Sequence, residues 1–308
     1  MPLKPLTPHK NPVVRILGFF CGLISATFLF SLLMICNVLQ TLSLLLKPFS
    51  SAAFRKANRE IANAWWSLCY LMSKHIYRID IEITGDDIPE KENVVLVSNH
   101  QEMPDIPVLF KLAYQKKRLG DLKWYVKDVF KFVPGVGWGM LFLDCIFVKR
   151  NWASDRAYIE SIFDKFLRYK IPIWVISFVE GTRMRPKKLE RSNQYAEKNG
   201  MTPTKHVILP RTKGFVATVQ ALREHLDAVY DVSIGYVDGV PNLWQLYNGQ
   251  VRKVHLHVRR FPVQDIPEDD TELGDWLTDR FYKKDDLFES FYQEGRFVEE
   301  DNDKDSQK

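Results

Sequence analysis

The sequence predicts an α/β fold: a layered domain with a mixed, largely parallel sheet flanked by helices, preceded by an N-terminal membrane helix or helix pair. Three observations predict it. Between Tyr77 and Val258, short strand patterns alternate with longer helical ones, as in strands joined by helical crossovers. Several strand patterns, Val94–Val97 and Ile173–Phe178 among them, are continuous apolar runs, as strands covered on both faces are. Ile16–Leu46 contains no charged residue, and it exceeds the about 20 residues that a spanning helix needs.

The elements follow in chain order. In the N-terminal run, Asn37, Gln40 and Thr41 weaken the last third, so a helix pair dipping into one leaflet competes with a single span. Lys4, Lys10 and Arg15 precede the run and Lys47, Arg55, Lys56 and Arg59 follow it, which leaves the charge rule for orientation nearly balanced. Ala52–Ile76 reads as an amphipathic helix whose aromatics, Trp65, Trp66 and Tyr70, suit a lipid interface or a packed core equally. Tyr77–Ile83 alternates like a half-buried strand, and Val94–Val97 follows as a buried one. A helix is expected from Asp105, then strands near Trp124–Val126 and Cys145–Val148, a helix over Asn151–Tyr169 and a strand over Ile173–Phe178. Lys213–Glu224 is helical, Ala228–Ile234 and Val251–Val258 complete the strands, and Glu272–Tyr292 is a closing helix. The chain thus divides into a membrane-anchoring segment over 1–50, an α/β domain over 51–298 and an acidic, disordered tail over 299–308.

The net charge of +5 understates how basic the body is. Setting aside the tail's five acids and two lysines leaves 41 cations against 33 acids. A basic body suits a partner bearing phosphate. A nucleic-acid role lacks any recognition motif. Cys21, Cys36, Cys69 and Cys145 form no CxxC pair and read as small buried hydrophobes in a reducing compartment, with no metal site expected. His255 and His257 share a strand face with Lys253 and Arg259, which reads as a solvated polar face rather than a metal pair.

The chemistry concentrates at strand ends. NVVLVSNHQEMPD, residues 93–105, runs a buried strand into a loop bearing His100, with Asp105 where a helix can start and Pro107 tolerated in its first turn. Such an Asp can accept a hydrogen bond from one imidazole nitrogen and leave the other to take a proton from a hydroxyl. Alone, the pair reads equally as a helix cap beside an ordinary loop histidine. Ile173–Arg183 is a second buried strand, and it empties into Glu180, Gly181, Thr182 and Arg183. Cys145–Arg150 is a third, ending in Lys149 and Arg150. Ligands of open α/β sheets bind at the carboxyl ends of strands, and arginine forks suit phosphate.

These blocks, in this order and spacing, resemble the lysophospholipid acyltransferase family, whose best-known members make phosphatidate from lysophosphatidate. Asn99, His100 and Asp105 match its first block, Phe147 and Arg150 its second, Phe178 with Glu180–Arg183 its third and Val207–Pro210 its fourth. The resemblance runs from Val94 to Gly214. Val179 stands where many members have proline, and Glu102 where many have a small polar residue, a difference that bears on the acceptor. Leu209–Phe215 is similar to a branch of endoplasmic-reticulum acyltransferases and bacterial relatives that includes lysophospholipid-remodelling enzymes.

The resemblance implies direct acyl transfer from a thioester, acyl-CoA or acyl-carrier protein, to the free hydroxyl of 1-acylglycerol-3-phosphate or another lysophospholipid, with no cofactor and no metal. It implies His100 as general base, held by Asp105, with Arg150 and Arg183 gripping phosphate and Lys149, Arg211 and Lys213 as weaker candidates. Glu180 would position the glycerol backbone or orient an arginine, Gly181 and Thr182 would belong to the same substrate-binding turn, and backbone N–H groups near Gly181 would receive the oxyanion. Cys145, inside an apolar strand, is disfavoured as a nucleophile. The implied location is a membrane: the cytoplasmic face of a bacterial inner membrane, or the endoplasmic reticulum. Two rivals are a lipid thioesterase, for which the arginines have no use, and a non-catalytic membrane adaptor.

Overall fold

The structure is a computed structural model that describes residues 4–149 and 152–298; Arg150 and the 299–308 tail, both assigned roles above, lie outside the described residues. Helix α1 (Pro12–Leu42) starts at Asn11, whose side chain accepts the Val13 N–H, and a 3-10 turn (Ser43–Leu46) leads towards α2 (Ser51–His75). The apolar run is therefore one unbroken helix, the only one among the described residues long and apolar enough to cross a membrane. No break occurs at Asn37 and Gln40, because their polar groups are buried against the body: the Asn37 amide oxygen accepts the Gly135 N–H at 3.0 Å.

Strands β1 (Asp80–Gly85) and β2 (Val94–Ser98) precede α3 (Asp105–Gln115) and β3 (Leu122–Lys127). A 3-10 turn (Asp128–Phe132) and α4 (Val136–Phe142) then lead into β4 (Ile146–Val148), α5 (Trp152–Arg168) and β5 (Trp174–Ser177). Helix α6 (Pro186–Lys198), α7 (Thr212–Leu222), β6 (Ala228–Tyr236), α8 (Leu243–Tyr247), β7 (Lys253–Pro262) and α9 (Asp270–Glu294) complete the described chain. The sequence patterns had not called for α4, α6 or α8, which are short or too polar to carry an apolar stripe.

The described strands form one seven-stranded sheet in the order β1-β7-β6-β2-β5-β3-β4. The five strands from β6 to β4 run parallel, whereas β7 is antiparallel to β6, opposing Val258 to Val232, and β1 is parallel to β7. Alternation within β2 divides the core. Val94 and Leu96 face Trp66, Leu109 and Phe110 on the α1–α3 side, while Val95 and Val97 face Phe163, Phe215 and Phe281 on the α5, α7 and α9 side. Because β2, β3, β5 and β6 run parallel, their carboxyl ends meet at one edge of the sheet.

Two expectations need correction. His255 and His257 do not lie on a solvated face: His255 is 1% exposed, packed edge-on to Phe291 and Phe297, and His257 is also buried. Strand β7 is interior, between β1 and β6, and α9 with the segment after it covers the face that looked polar in sequence. Of the cysteines, Cys69 and Cys145 are buried, but Cys21 is exposed on α1.

Candidate active site

Asn99, the first residue beyond β2, turns its side chain sideways into β6. Its amide nitrogen donates to the Ile234 carbonyl at 3.1 Å, and its oxygen accepts the Ile234 N–H at 2.8 Å. This paired bond continues the β2–β6 ladder through a side chain, so His100 leaves the sheet at a set point. The imidazole lies flat on Phe178, with ring centroids 4.0 Å apart and planes within 17°. Phe178 in turn stacks beside Trp124 of β3.

Asp105 is the first residue of α3 and is fully buried. Its Oδ2 accepts the Gln101 N–H at 2.6 Å, the Glu102 N–H at 3.0 Å and His100 Nδ1 at 2.9 Å. Its Oδ1 accepts the Tyr236 hydroxyl at 2.7 Å. With four donors converging on it, the Asp105 carboxylate acts only as an acceptor, which places the hydrogen of that contact on Nδ1 of His100. Nε2 is then the basic nitrogen. Burial, and after it the Asp105 charge, pushes the Tyr236 phenol far above its ordinary pKa, so it stays a donor. Sequence reasoning missed Tyr236, and nothing near it in the chain marks it.

Glu180 is 2% exposed, and among the described residues its carboxyl bonds backbone N–H groups and no arginine, the partner that one of its two expected roles gave it. Its Oε2 accepts the His100 N–H at 3.1 Å and its Oε1 the Ile208 N–H at 3.3 Å, tying together the loops after β2, β5 and α6. Burial pushes its carboxyl up to about 8, against the pull of those two N–H groups. Gly181 has φ +68 and lies beneath the Arg211 side chain; a Cβ there would stand 2.9 Å from Arg211 Cδ. The positive φ selects glycine, whereas the Arg211 side chain could shift aside. Its own N–H is spent on the Phe178 carbonyl at 2.9 Å, so it is not free for an oxyanion.

Arg183 reaches the His100 loop, but its partner there is Glu102: Arg183 Nη1 donates to Glu102 Oε1 and Arg185 Nη2 to Glu102 Oε2. Burial opposes the Glu102 charge, but the Met103 N–H, Arg185 and Arg183 hold its carboxyl below the ordinary value. The Met184 N–H, donating to the His100 carbonyl at 2.7 Å, fastens the two loops. Arg211 joins the same loop cluster, its N–H donating to the Val179 carbonyl at 2.8 Å. Thr182 is half-buried; Lys149, just after β4, and Lys213, in the first turn of α7, are exposed. Burial pushes the Cys145 thiol up to about 11, which removes it as a nucleophile.

A buried carboxylate, an oriented histidine with a free basic nitrogen and a pair of guanidinium groups can deprotonate a hydroxyl beside an anionic group. Comparison with known proteins agrees. Residues 80–237 match the family model described as Acyltransferase, and residues 245–308 match the one described as Acyltransferase C-terminus. The chain is 32% identical over 297 residues to a protein of Arabidopsis thaliana named probable 1-acyl-sn-glycerol-3-phosphate acyltransferase 5, covering 96% of this chain and 79% of that one. It is 32% identical to human 1-acyl-sn-glycerol-3-phosphate acyltransferase delta, covering 91% and 76% of the two chains. To lysocardiolipin acyltransferase 1 of Gallus gallus it is 31% identical, covering 82% and 68%. The crystal structure of the 1-acyl-sn-glycerophosphate acyltransferase PlsC from Thermotoga maritima superposes with a TM-score of 0.54 at 17% identity, over 89% of this chain and 95% of that one, a likeness of fold. The chain belongs to the PlsC-like lysophospholipid acyltransferase family and is an O-acyltransferase.

Proposed function

We propose that this enzyme moves a fatty acyl group from acyl-CoA or acyl-carrier protein onto the free hydroxyl of 1-acylglycerol-3-phosphate, giving phosphatidate, at a membrane that holds α1. The observation that carries the reading is the His100–Asp105 pair, with Nδ1 bound and Nε2 without a hydrogen bond among the described residues, beside the Arg183–Arg185 pair on one loop cluster. The names of the Arabidopsis and human relatives supply the acceptor.

In this reading Nε2 of His100 takes the acceptor's hydroxyl proton as the oxygen attacks the thioester carbonyl. A C–O bond forms, the C–S bond breaks and the departing thiolate receives the proton from the imidazolium. Asp105 stabilises that imidazolium, and the base contributes about 10²–10⁴-fold in rate. Arg183 grips the acceptor's phosphate, the role that the family's second block gives Arg150 as well, with Arg211, Lys149 and Lys213 as weaker partners. Thr182 and Gly181 shape the turn that presents them. Neither cofactor nor metal takes part.

Glu102 favours a second reading. It neutralises part of the Arg183–Arg185 charge, which suits a singly charged phosphodiester, and one relative is named a lysocardiolipin acyltransferase. Labelled acyl-CoA offered with competing lysophospholipids in vesicles tests both. Labelled phosphatidate as the dominant product is expected, and a different phospholipid would install the remodelling reading. Free fatty acid without new phospholipid would refute transfer. His100→Ala should lower turnover by about 10²-fold or more.

A further inference from the structure

The segment between β3 and β4 carries a surface that the reaction does not use. Directly beyond Lys127, at the edge where His100 and Phe178 sit, a 3-10 turn and α4 fold back on each other as a hairpin over residues 128–142. The reversal is tight: a Cβ on Gly137 would stand 1.7 Å from the Phe130 carbonyl oxygen, so only glycine fits. The hairpin turns apolar side chains outward. Val129, Phe130, Val133, Val136 and Trp138 are exposed, and Phe132 is 72% exposed. Single exposed apolar residues are ordinary, whereas a contiguous patch marks an interaction surface. Its one acid, Asp128, is paired with Lys131 at 2.9 Å, which leaves Lys127 to set the sign of the local charge.

Continuity identifies the partner. The hairpin is docked on α1: Gly135 packs against Leu33 and gives its N–H to Asn37. The exposed apolar face of α1, including Phe30, and beyond it Leu45 and Phe49, extends the same surface. Irregular backbone is tolerated in lipid only where its polar groups are satisfied. Here Asn37 takes the Gly135 N–H, and the Val133 N–H bonds the Phe130 carbonyl. Aromatic rings flanked by lysine suit the depth of lipid headgroups.

We propose that the hairpin 128–142 is a second membrane-inserted element, which enters the same lipid leaflet as α1 and seats the catalytic edge of the sheet against the bilayer. The proposal rests on membrane attachment through α1. It gives the acceptor a short path from leaflet to His100, because Trp124 of β3, which feeds the hairpin, is also the ring beside Phe178.

The test uses the full chain and vesicles of phosphatidylcholine and phosphatidylglycerol, with bromine placed shallow or deep on the acyl chains. Co-sedimentation reports attachment. The fluorescence difference between wild type and Trp138→Phe isolates Trp138. Shallow bromine should quench that difference by half or more. Co-sedimentation without quenching would overturn the hairpin's insertion and leave attachment through α1 standing; a switch from dimer to monomer in Phe132→Ser would then assign the patch to a second copy. Failure to co-sediment would overturn attachment itself. As a second measurement, Phe132→Ser combined with Val133→Ser should still co-sediment and should raise KM several-fold for an acceptor embedded in vesicles. Its KM for a short-chain, monomeric acceptor should stay unchanged; equal effects on both acceptors would count against insertion.

Discussion

His100 is fixed from three sides by groups that can each be removed singly. Asp105 holds Nδ1, Phe178 holds the ring plane and Glu180 holds the backbone N–H. Tyr236 stands one step behind, as one of the four donors that hold Asp105 in place. Tyr236→Phe removes a hydrogen bond to a charged group, about 1.5–3 kcal/mol. The expected result is a kcat about tenfold lower with KM near wild type; an unchanged kcat would remove Tyr236 from the positioning of the dyad. Glu180 makes a different prediction. Its carboxyl keeps its proton up to about 8 in the folded protein, against 4.5 for an ordinary glutamate. Between those values the folded state binds the extra proton, so this group's contribution to stability is full below the lower value and falls as pH rises towards the upper one. Denaturant midpoints should therefore decline across that window. Glu180→Gln cannot ionise and should decline less steeply, from a lower start because its amide cannot accept both N–H groups. Parallel pH profiles would contradict the assignment.

At the level of elements, the site depends on a helix that never touches it. Asp285 of α9 accepts the N–H groups of Lys205, His206 and Val207, and the next residue, Ile208, gives its N–H to Glu180. On the same helix, Lys284 and Arg280 pair with the buried Asp231 of β6, anchoring α9 to the sheet. Asp285→Ala leaves three largely buried N–H groups without their acceptor, a cost of at least about 1–3 kcal/mol. It should lower the urea midpoint and, through Ile208 and Glu180, kcat as well; a stability loss with full kcat would break the proposed connection. Little of this link was legible beforehand. The closing helix and the strand carrying Asp231 could be read from periodicity, but their contact is a matter of packing across the sheet. The histidines of β7 teach the same point: alternation located the strand and its two faces, but not the α9 cover that buries the one bearing His255.

For the whole molecule, α1 is part of the body rather than a detachable anchor. Leu29 is buried in the core that holds Ala62 and Trp66, and Gly22 lies against Trp244 of α8. A chain beginning at Ser51 should consequently aggregate in detergent-free buffer and melt at lower temperature in detergent than the full chain. A stable, monomeric truncation would show that α1 contributes nothing to the fold.

The sequence by itself determined the α/β class and a strand at each of the seven described positions, and its match to the family's blocks pointed to His100, Asp105, Glu180 and Arg183 as one set. The strands follow from a short-range signal, apolar periodicity, and the set from motifs placed where strands end. Only the tertiary structure decided what each of them touches. It gave Glu180 to two backbone N–H groups instead of an arginine, gave Arg183 and Arg185 a shared partner in Glu102, and brought Tyr236 to Asp105 from 131 residues away. The physical reason is that the order and register of β2, β5 and β6 arise from the packing of the whole sheet, and side chains at strand ends meet only once that register is set.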